Sequence, residues 1–485
     1  MLECLTDRVT TLDDAVSFEK ALACTNGSRL GALGYRFAKK KPIFVVRAPA
    51  RLDCMGGIAD YSGSLVCEMT LDRAVILGIQ ARDDRKVVIH SSGVGYLGLT
   101  PDVTLSLDLL APDPSPPDYL SLRQELGREP GKAWAAYVGG AFSVLHGEGF
   151  IDRFPHGATI VLVSNIPPRV GISSSAALEI AAMYGLSLLY GIKLDGLSLA
   201  DLSHKVENHV VGAACGIMDQ VTCALGKRNQ LLSLLCQPHT VREHLPVPPG
   251  LHLIGINSGI RRQIKSARYS NTRIGTFIGL AIIQNYIKTL PEVLHHSYSD
   301  YLCNISPIEF VNCYRRLLPS SITGRDFKQR YGDTPDTATT VAPEVSYKVR
   351  SRVEHPIYEH QRVHDFTNHI RLANNTGETG HLRDLGRLMY SSDWSYTYRC
   401  GLGSSETAWI VNEIRKLGPA AGFYGAKITG GGAGGTVAVA GTERMFEHLE
   451  HLLKRYRETT GIVAELFKDT SPGALEFGHV VYRLN

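Results

Sequence analysis

No run of this chain is both long and apolar enough to cross a bilayer. The longest apolar stretch, Ala176 to Ile192, contains Glu179, two glycines and two tyrosines, whereas a span needs ~20 mostly apolar residues. An excess of one charge is missing too. Lys+Arg is 51 and Asp+Glu 47, a formal net charge of +4 over 485 residues, which is too dilute for a nucleic-acid footprint. Ten cysteines run from Cys4 to Cys400 with no C-x-x-C pair. A secreted disulfide scaffold would be shorter and denser in cysteine, so a reduced, cytoplasmic compartment is expected. The opening MLECLTDRVTTLDD has acids and no apolar core, and predicts neither a signal nor a transit peptide. There is no G-x-x-x-x-G-K-[ST] P-loop and no G-x-S-x-G nucleophile elbow.

What is present fits a folded chain. Apolar residues make up 44% and charged residues 20%, enough to build a buried core. Length alone predicts about three domains, or two large ones. Glycine is in excess: 48 residues, where average usage gives ~34. No G-X-Y period accompanies it, so the surplus belongs to turns and tight loops.

Residues 1–40 read as a weakly patterned extension. Ile43–Val46, Val75–Ile79, Val87–Ile89 and Ala158–Val163 predict strands, as do 231–236 and 251–256. Residues 111–118 (APDPSPPD) are a loop. Ala133–Leu145 is small and apolar, a buried helix. Leu178, Ala181, Ala182, Leu186 and Leu189 recur at helical spacing, with Gly191 as the stop. Ser198 to Asp201 has capping-box spacing for a second helix, ended by Gly212. Residues 283–350 show no clear pattern. Tyr358–Leu372 and Leu382–Met389 predict helices. Phe423–Thr429 and Thr436–Ala440 predict strands joined by a glycine loop. Trp134, Trp394 and Trp409 read as core. His355, His360, His364 and His369 lie near helical spacing without a third ligand or H-E-x-x-H, and read as a solvated helix face.

Four segments carry candidate chemistry. Gly430, Gly432 and Gly435 form a G-x-G-x-x-G, but the β-run TVAVA follows where a dinucleotide fold needs a helix. PPRVGISSSAA joins a strand to a helix start. Its serine hydroxyls and free N–H groups suit a phosphate, but taken alone the segment reads more simply as an N-cap with redundant serines. CGIMDQ places Asp219 among apolar neighbours, where a carboxylate is costly unless paired or used; a lone Asp there is otherwise a turn residue. RLDCMGGIADY sets Arg51, Asp53 and Asp60 around a Gly-Gly turn. That loop could grip hydroxyls or simply hold a salt bridge.

In order, APARLDCMGGIADYSG, GISSSAA, CGIMDQ and GAKITGGGAGG resemble the motif set of the GHMP sugar kinases, in the galactokinase branch, over about residues 43–275 and 345–440. MGGIADYSGSLV, NSGIR and the region LCNISP to YGDTPD most resemble plant-type L-arabinokinases, which carry a further large N-terminal domain outside this sequence. The resemblance implies an α+β GHMP kinase fold. Residues 41–247 would form a ribosomal-S5-domain-2-like domain after the 1–40 extension. Residues 248–485 would form a ferredoxin-like α/β sandwich with an insertion at about 283–350. It implies a sugar 1-kinase using ATP and Mg²⁺ on a free aldose, L-arabinose first and galactose as the alternative, as monomer or homodimer, with no nucleic-acid or membrane partner. A non-catalytic sugar sensor of the same fold is the rival of another class.

Residue by residue, the resemblance implies that Gly171, Ser173, Ser174 and Ser175 cradle ATP phosphates, with Gly430, Gly431 and Gly432 closing from the second domain. Ser175 (or Ser174) with Glu207 would hold Mg²⁺. Asp219 would be general base or electrostatic stabiliser, with Arg51 beside it. Asp60, Gly57, Ile58, Gly216 and Tyr269 would meet the sugar. Galactokinases carry Glu-His in place of Gly57-Ile58, a pair that reaches the hydroxymethyl oxygen of galactose. L-Arabinopyranose lacks that group, so the smaller, apolar pair suits a pentose. Ala50 stands for the family's usual Gly. Arg169-Val170 replaces small residues in the serine loop, with Arg169 expected to be solvated.

Overall fold

Strand Pro42–Met55 is the spine of the first layer. Covered on both faces, it is buried almost throughout rather than alternating, with Arg47, Arg51 and Asp53 as its charged residues. It pairs antiparallel with Leu65–Ala81 on one side and His479–Leu484 on the other. A computed structural model describes the chain except residues 7–10, 28–30, 114, 262–266 and 291–299. Across the large sheet the order is Leu2–Cys4, His479–Leu484, Pro42–Met55, Leu65–Ala81, Ala158–Ser164, Lys86–Ser91, Asp102–Ser106. Gln230–Leu235 and Thr240–Pro246 extend it from the start of Leu65–Ala81. The register of Pro42–Met55 slips between Pro49 and Arg51 and again between Asp53 and Met55. Such bulges re-aim side chains, and Arg51 and Asp53 lie at these two.

Helix Ser174–Tyr190 packs on the two long strands and stops at Gly191 in the left-handed conformation. Each predicted strand coincides with an observed one, overrunning its bounds by at most one residue. The Ser198 capping box does not form. Asp195 is the N-cap, accepting from the Ser198 amide at 2.7 Å, because the helix starts one turn earlier and Ser198 is already inside it.

The second layer is an antiparallel sheet in the order Phe423–Ile428, Thr436–Gly441, His252–Asn257, Glu465–Phe467. Helices Thr379–Trp394 and Ser405–Leu417 pack on Phe423–Ile428. Residues 302–350 build short helices and a hairpin, Ser321–Thr323 with Ser346–Lys348. Phe310, Phe327 and Tyr347 form a core there with Ile278 and Val353. Among the described residues no helix is long and apolar enough to cross a membrane.

Two features cut across the expected division of the chain. The closing strand His479–Leu484 lies inside the first sheet, since its alternating Val480, Tyr482 and Leu484 are buried there. The described residues of 1–40 are built in: Phe18, Leu22 and Phe37 pack on Ile43, Val45 and Tyr482, and Asp14 pairs with buried Arg47 at 2.9 Å. Trp394 is 48% exposed rather than core.

The two sheets meet at Asp53 and Lys427, both fully buried, with Nζ to Oδ2 at 2.9 Å. Breaking a buried pair from one side leaves an uncompensated charge. Lys427→Met is therefore expected to lower stability by about 3–5 kcal/mol, and Asp53→Asn added to it to recover part of the loss, both read by chemical denaturation.

Candidate active site

Between the two layers lies a cleft of about 580 Å³. Arg51, Ile58, Asp60, Gly171, Ser173–Ser175, Glu207, Gly216, Asp219, Tyr269, Gly430 and Gly431 line it. Gly57 and Gly432 do not. A Cβ at Gly57 would collide with the Tyr396 hydroxyl and the Asp53 carboxylate. Glycine is required there by packing against the second layer, so the position offers the cleft no side-chain contact. Gly432 sits against Leu402 instead.

Arg51, 2% exposed, is the central cation. Its Nε and Nη2 both reach Asp219 Oδ1 at 2.8 Å, and Nη1 donates to the Gly171 carbonyl at 2.7 Å. One guanidinium thus ties the carboxylate turn to the serine loop. Burial disfavours its charge, but the nearby Asp219 and Glu68 outweigh that and hold it protonated. Asp219 opens helix Met218–Leu225, with its side chain 22% exposed to the cleft.

Ser173 precedes helix Ser174–Tyr190 with φ 61° and ψ 46° and makes no side-chain capping bond. Its Oγ is buried without a partner. The segment is therefore not an ordinary N-cap. The helix start faces the cleft with its first amides uncapped, which suits an anion. Arg169, with positive φ, is exposed at the mouth and lines the cleft as well.

Glu207 lies in a single π-turn, Val206–Val211, that Gly212 ends in the left-handed region. Such turns recur at functional sites. Its Oε2 accepts from Gln220 Nε2 at 2.7 Å and from Cys215 Sγ at 3.2 Å, and Ser175 also bonds to the carboxylate. Burial and then the charge of Asp219 push its pKa up. Gln220 donates at 3.0 Å to fully buried Glu179 as well. Asp60 is raised to about 6 by burial and then by Asp219. Its carboxylate sits directly against the Gly216 α-carbon, leaving no room for a side chain.

Ile58 has φ 53°, unusual for a β-branched residue. Its side chain packs with Tyr396, Cys400, Leu402 and Ile428. Behind this loop Asp53 accepts from the Gly57 amide on Oδ1, at 3.2 Å. Oδ2 accepts from the Gly430 amide at 3.1 Å and the Tyr396 hydroxyl at 3.2 Å. His355 belongs here rather than on a solvated face. It is 1% exposed, with Nδ1 at 2.9 Å from Ser395 Oγ and Nε2 at 3.3 Å from the Gly57 carbonyl. His360 Nδ1 accepts from the Leu65 amide. Burial lowers both histidines to about 4.

Sequence reasoning missed Tyr137, Ser270, Ile274 and residues 338–340, all of which line the cleft. It also missed Glu68, a fully buried carboxylate with neither oxygen hydrogen-bonded, 3.4 Å from Arg51. Lone residues inside strands or an insertion give no pattern to read. Lys427, the one charge inside a strand otherwise apolar and buried, was the signal available for its pair.

Residues 136–227 match the GHMP kinases N terminal domain. The chain is 35% identical to L-arabinokinase of Arabidopsis thaliana over 93% of its own length, and spans 48% of that relative. It is 28% identical to galactokinase of Chloroflexus aggregans, covering 88% of this chain and 91% of that one. Its backbone follows Lactococcus lactis galactokinase complexed with galactose with a TM-score of 0.68 at 22% identity, over 90% and 94% of the two chains. A mevalonate kinase superposes with a TM-score of 0.51 at 14% identity, over 88% and 99%. Residues 136–227 are thus a GHMP kinase N-terminal domain, set in a chain that is similar along most of its length to sugar kinases and shares the course of a galactokinase backbone.

Proposed function

We propose that the chain is an ATP-dependent sugar 1-kinase whose substrate is L-arabinose. The observation that carries the reading is the Arg51–Asp219 pair beside an uncapped helix start in one cleft. The cleft joins an acceptor-activating carboxylate to a phosphate cradle, and phosphoryl transfer needs little beyond positioning and charge stabilisation.

The anomeric oxygen attacks the γ-phosphorus of ATP. The new O–P bond forms as the bond to the ADP oxygen breaks, and Asp219 takes up the hydroxyl proton. Arg51 offsets charge on the moving phosphoryl group while holding Asp219 in place. The amides at 174–176 and the Ser173 hydroxyl take phosphate oxygens, and Gly430 and Gly431 close over them from the second sheet. Asp60 accepts from sugar hydroxyls, with Gly216 and Tyr269 shaping the ring site.

Ser175 and Glu207 suit Mg²⁺. A single carboxylate with a bonded hydroxyl is the sparse donor set of an ion that draws its other ligands from phosphate and water, and no cluster of three ligating side chains occurs among the described residues. Bound there, the ion would neutralise phosphate charge.

The pentose reading is supported by the L-arabinokinase relative and by Ile58, an apolar side chain in the cleft beside a position that admits only glycine.

A coupled ADP-release assay over free aldoses tests the reading. L-Arabinose is expected to give the highest kcat/KM; a clear galactose preference would reassign the substrate, and binding without ADP release would make the protein a sensor. Asp219→Asn is expected to lower kcat by about 10²–10⁴ with the sugar KM little changed. For Asp60 the sign is set by a carboxylate ionised above about 6. Since kcat/KM reports the free enzyme, it should fall as pH drops through about 6. A flat profile from pH 7 to 5 would remove Asp60 from sugar binding.

A further inference from the structure

Residues 300–350 interrupt the kinase pattern, yet one segment of them reaches the cleft. Ala338, Thr339 and Thr340 line it. The segment is fixed by Asp336, whose carboxylate pairs with Arg273 on helix Ala267–Ile287 through two bonds, Nε to Oδ2 at 2.9 Å and Nη2 to Oδ1 at 2.8 Å. Both side chains are nearly inaccessible, at 7% and 3%. Asp336 also accepts from the Ala338 amide at 3.1 Å and the Thr339 hydroxyl at 2.6 Å. The turn is thereby folded onto its own anchor. The paired guanidinium holds the Asp336 carboxyl below the usual range, against the opposing effect of burial.

Arg273 shows which end of the cleft the segment covers. Its third nitrogen, Nη1, donates at 3.0 Å to the carbonyl of Cys215, the residue before Gly216, on which Asp60 sits. Its guanidinium also stacks over Tyr61 at 5.0 Å and Phe277 at 5.4 Å, and Tyr61 follows Asp60 in the chain. Tyr269, one helical turn before Arg273, faces the same space. One buried arginine thus joins the insertion to the carboxylate turn and to the Asp60 loop, away from the serine cradle.

We propose that residues 336–340 are a wall of the sugar site, latched by the Arg273–Asp336 pair, and that this wall sets the size of sugar the cleft accepts. Tied through Arg273 to the turn that carries Gly216, it narrows the ring pocket, so a pentose fits where a bulkier hexose meets the wall. Arg273 and Asp336 are positioning residues, and Thr340 is the group in contact. The inference takes its substrate from the kinase reading; the wall itself does not depend on turnover.

The test compares wild type, Asp336→Asn, Asp336→Glu and Thr340→Ala in ADP-release kinetics with L-arabinose and D-galactose. Asp336→Asn is expected to raise the L-arabinose KM and to shrink the pentose-over-hexose ratio of kcat/KM, each by about tenfold, the size of a lost close contact in a pocket. The KM for ATP should be unchanged, and Asp336→Glu should restore part of the loss. Thr340→Ala, on an exposed residue outside the latch, should shift the ratio the same way with no change in thermal stability, and serves if Asp336→Asn does not fold. An unchanged ratio in the folded variants, or a change in the ATP KM alone, overturns the proposal. If wild type turns over no aldose, the kinase reading fails by itself. Calorimetric binding of the two sugars to the same variants then decides the wall by the same criteria.

Discussion

A carboxylate and an ammonium buried together between two sheets fix the geometry of this molecule. Asp53 and Lys427 are both sealed from solvent, a placement that loses hydration for two ions and is tolerated only when every remaining lone pair is used. Here they are used. Asp53 collects the amides of Gly57 and Gly430 and the Tyr396 hydroxyl besides the lysine, and its own amide donates to Thr429 Oγ1 at 2.9 Å. The loop that carries Ile58 and Asp60 and the glycine loop of the second sheet therefore share one acceptor. Neither can shift without unpairing a buried charge, so the two sides of the cleft keep register with each other.

The cleft is short of positive charge. Asp60, Asp219, Glu207 and Glu179 crowd one region, and burial raises three of them, Asp60, Glu207 and Glu179. Arg51 is the buried cation paired with Asp219, held on three sides by Asp219, Gly171 and Glu68, while the other buried arginine nearby, Arg273, is already paired with Asp336. On the proposed reading, a site so built favours a polyphosphate that arrives with its own cation. The helix start at Ser174 supplies the remaining attraction through dipoles, with no net charge added.

The sequence made the loops legible and their supports illegible. Arg51, Asp60, Ser173–Ser175, Glu207 and Asp219 sit in short segments whose residue types and order speak together, and the structure brings them to one cleft. Gly57 is assigned to the sugar by its place in the galactokinase motif; only three dimensions show Tyr396 filling the space beside it. His355 and His360 of helix Arg350–Thr376 are packed against the first sheet while His364 stays exposed, since spacing along a helix says nothing about what packs on it. The segment YGDTPD ends on Asp336, but its resemblance says nothing of the turn that follows, because the role of that residue lies in an arginine more than sixty residues away. The chain's halves were drawn by sequence position, whereas the sheet was completed by a strand from the far end.

That last strand has a consequence for how the chain comes to be folded. His479–Leu484 slots between Leu2–Cys4 and Pro42–Met55, so the spine of the first sheet keeps a bare edge of unpaired amides and carbonyls while everything between is being synthesised. Such an edge invites pairing with other chains. The nascent chain must shelter it until residues 479–484 have been made, and a break placed anywhere between the two strands would separate two pieces that each carry half of one hydrogen-bonded ladder.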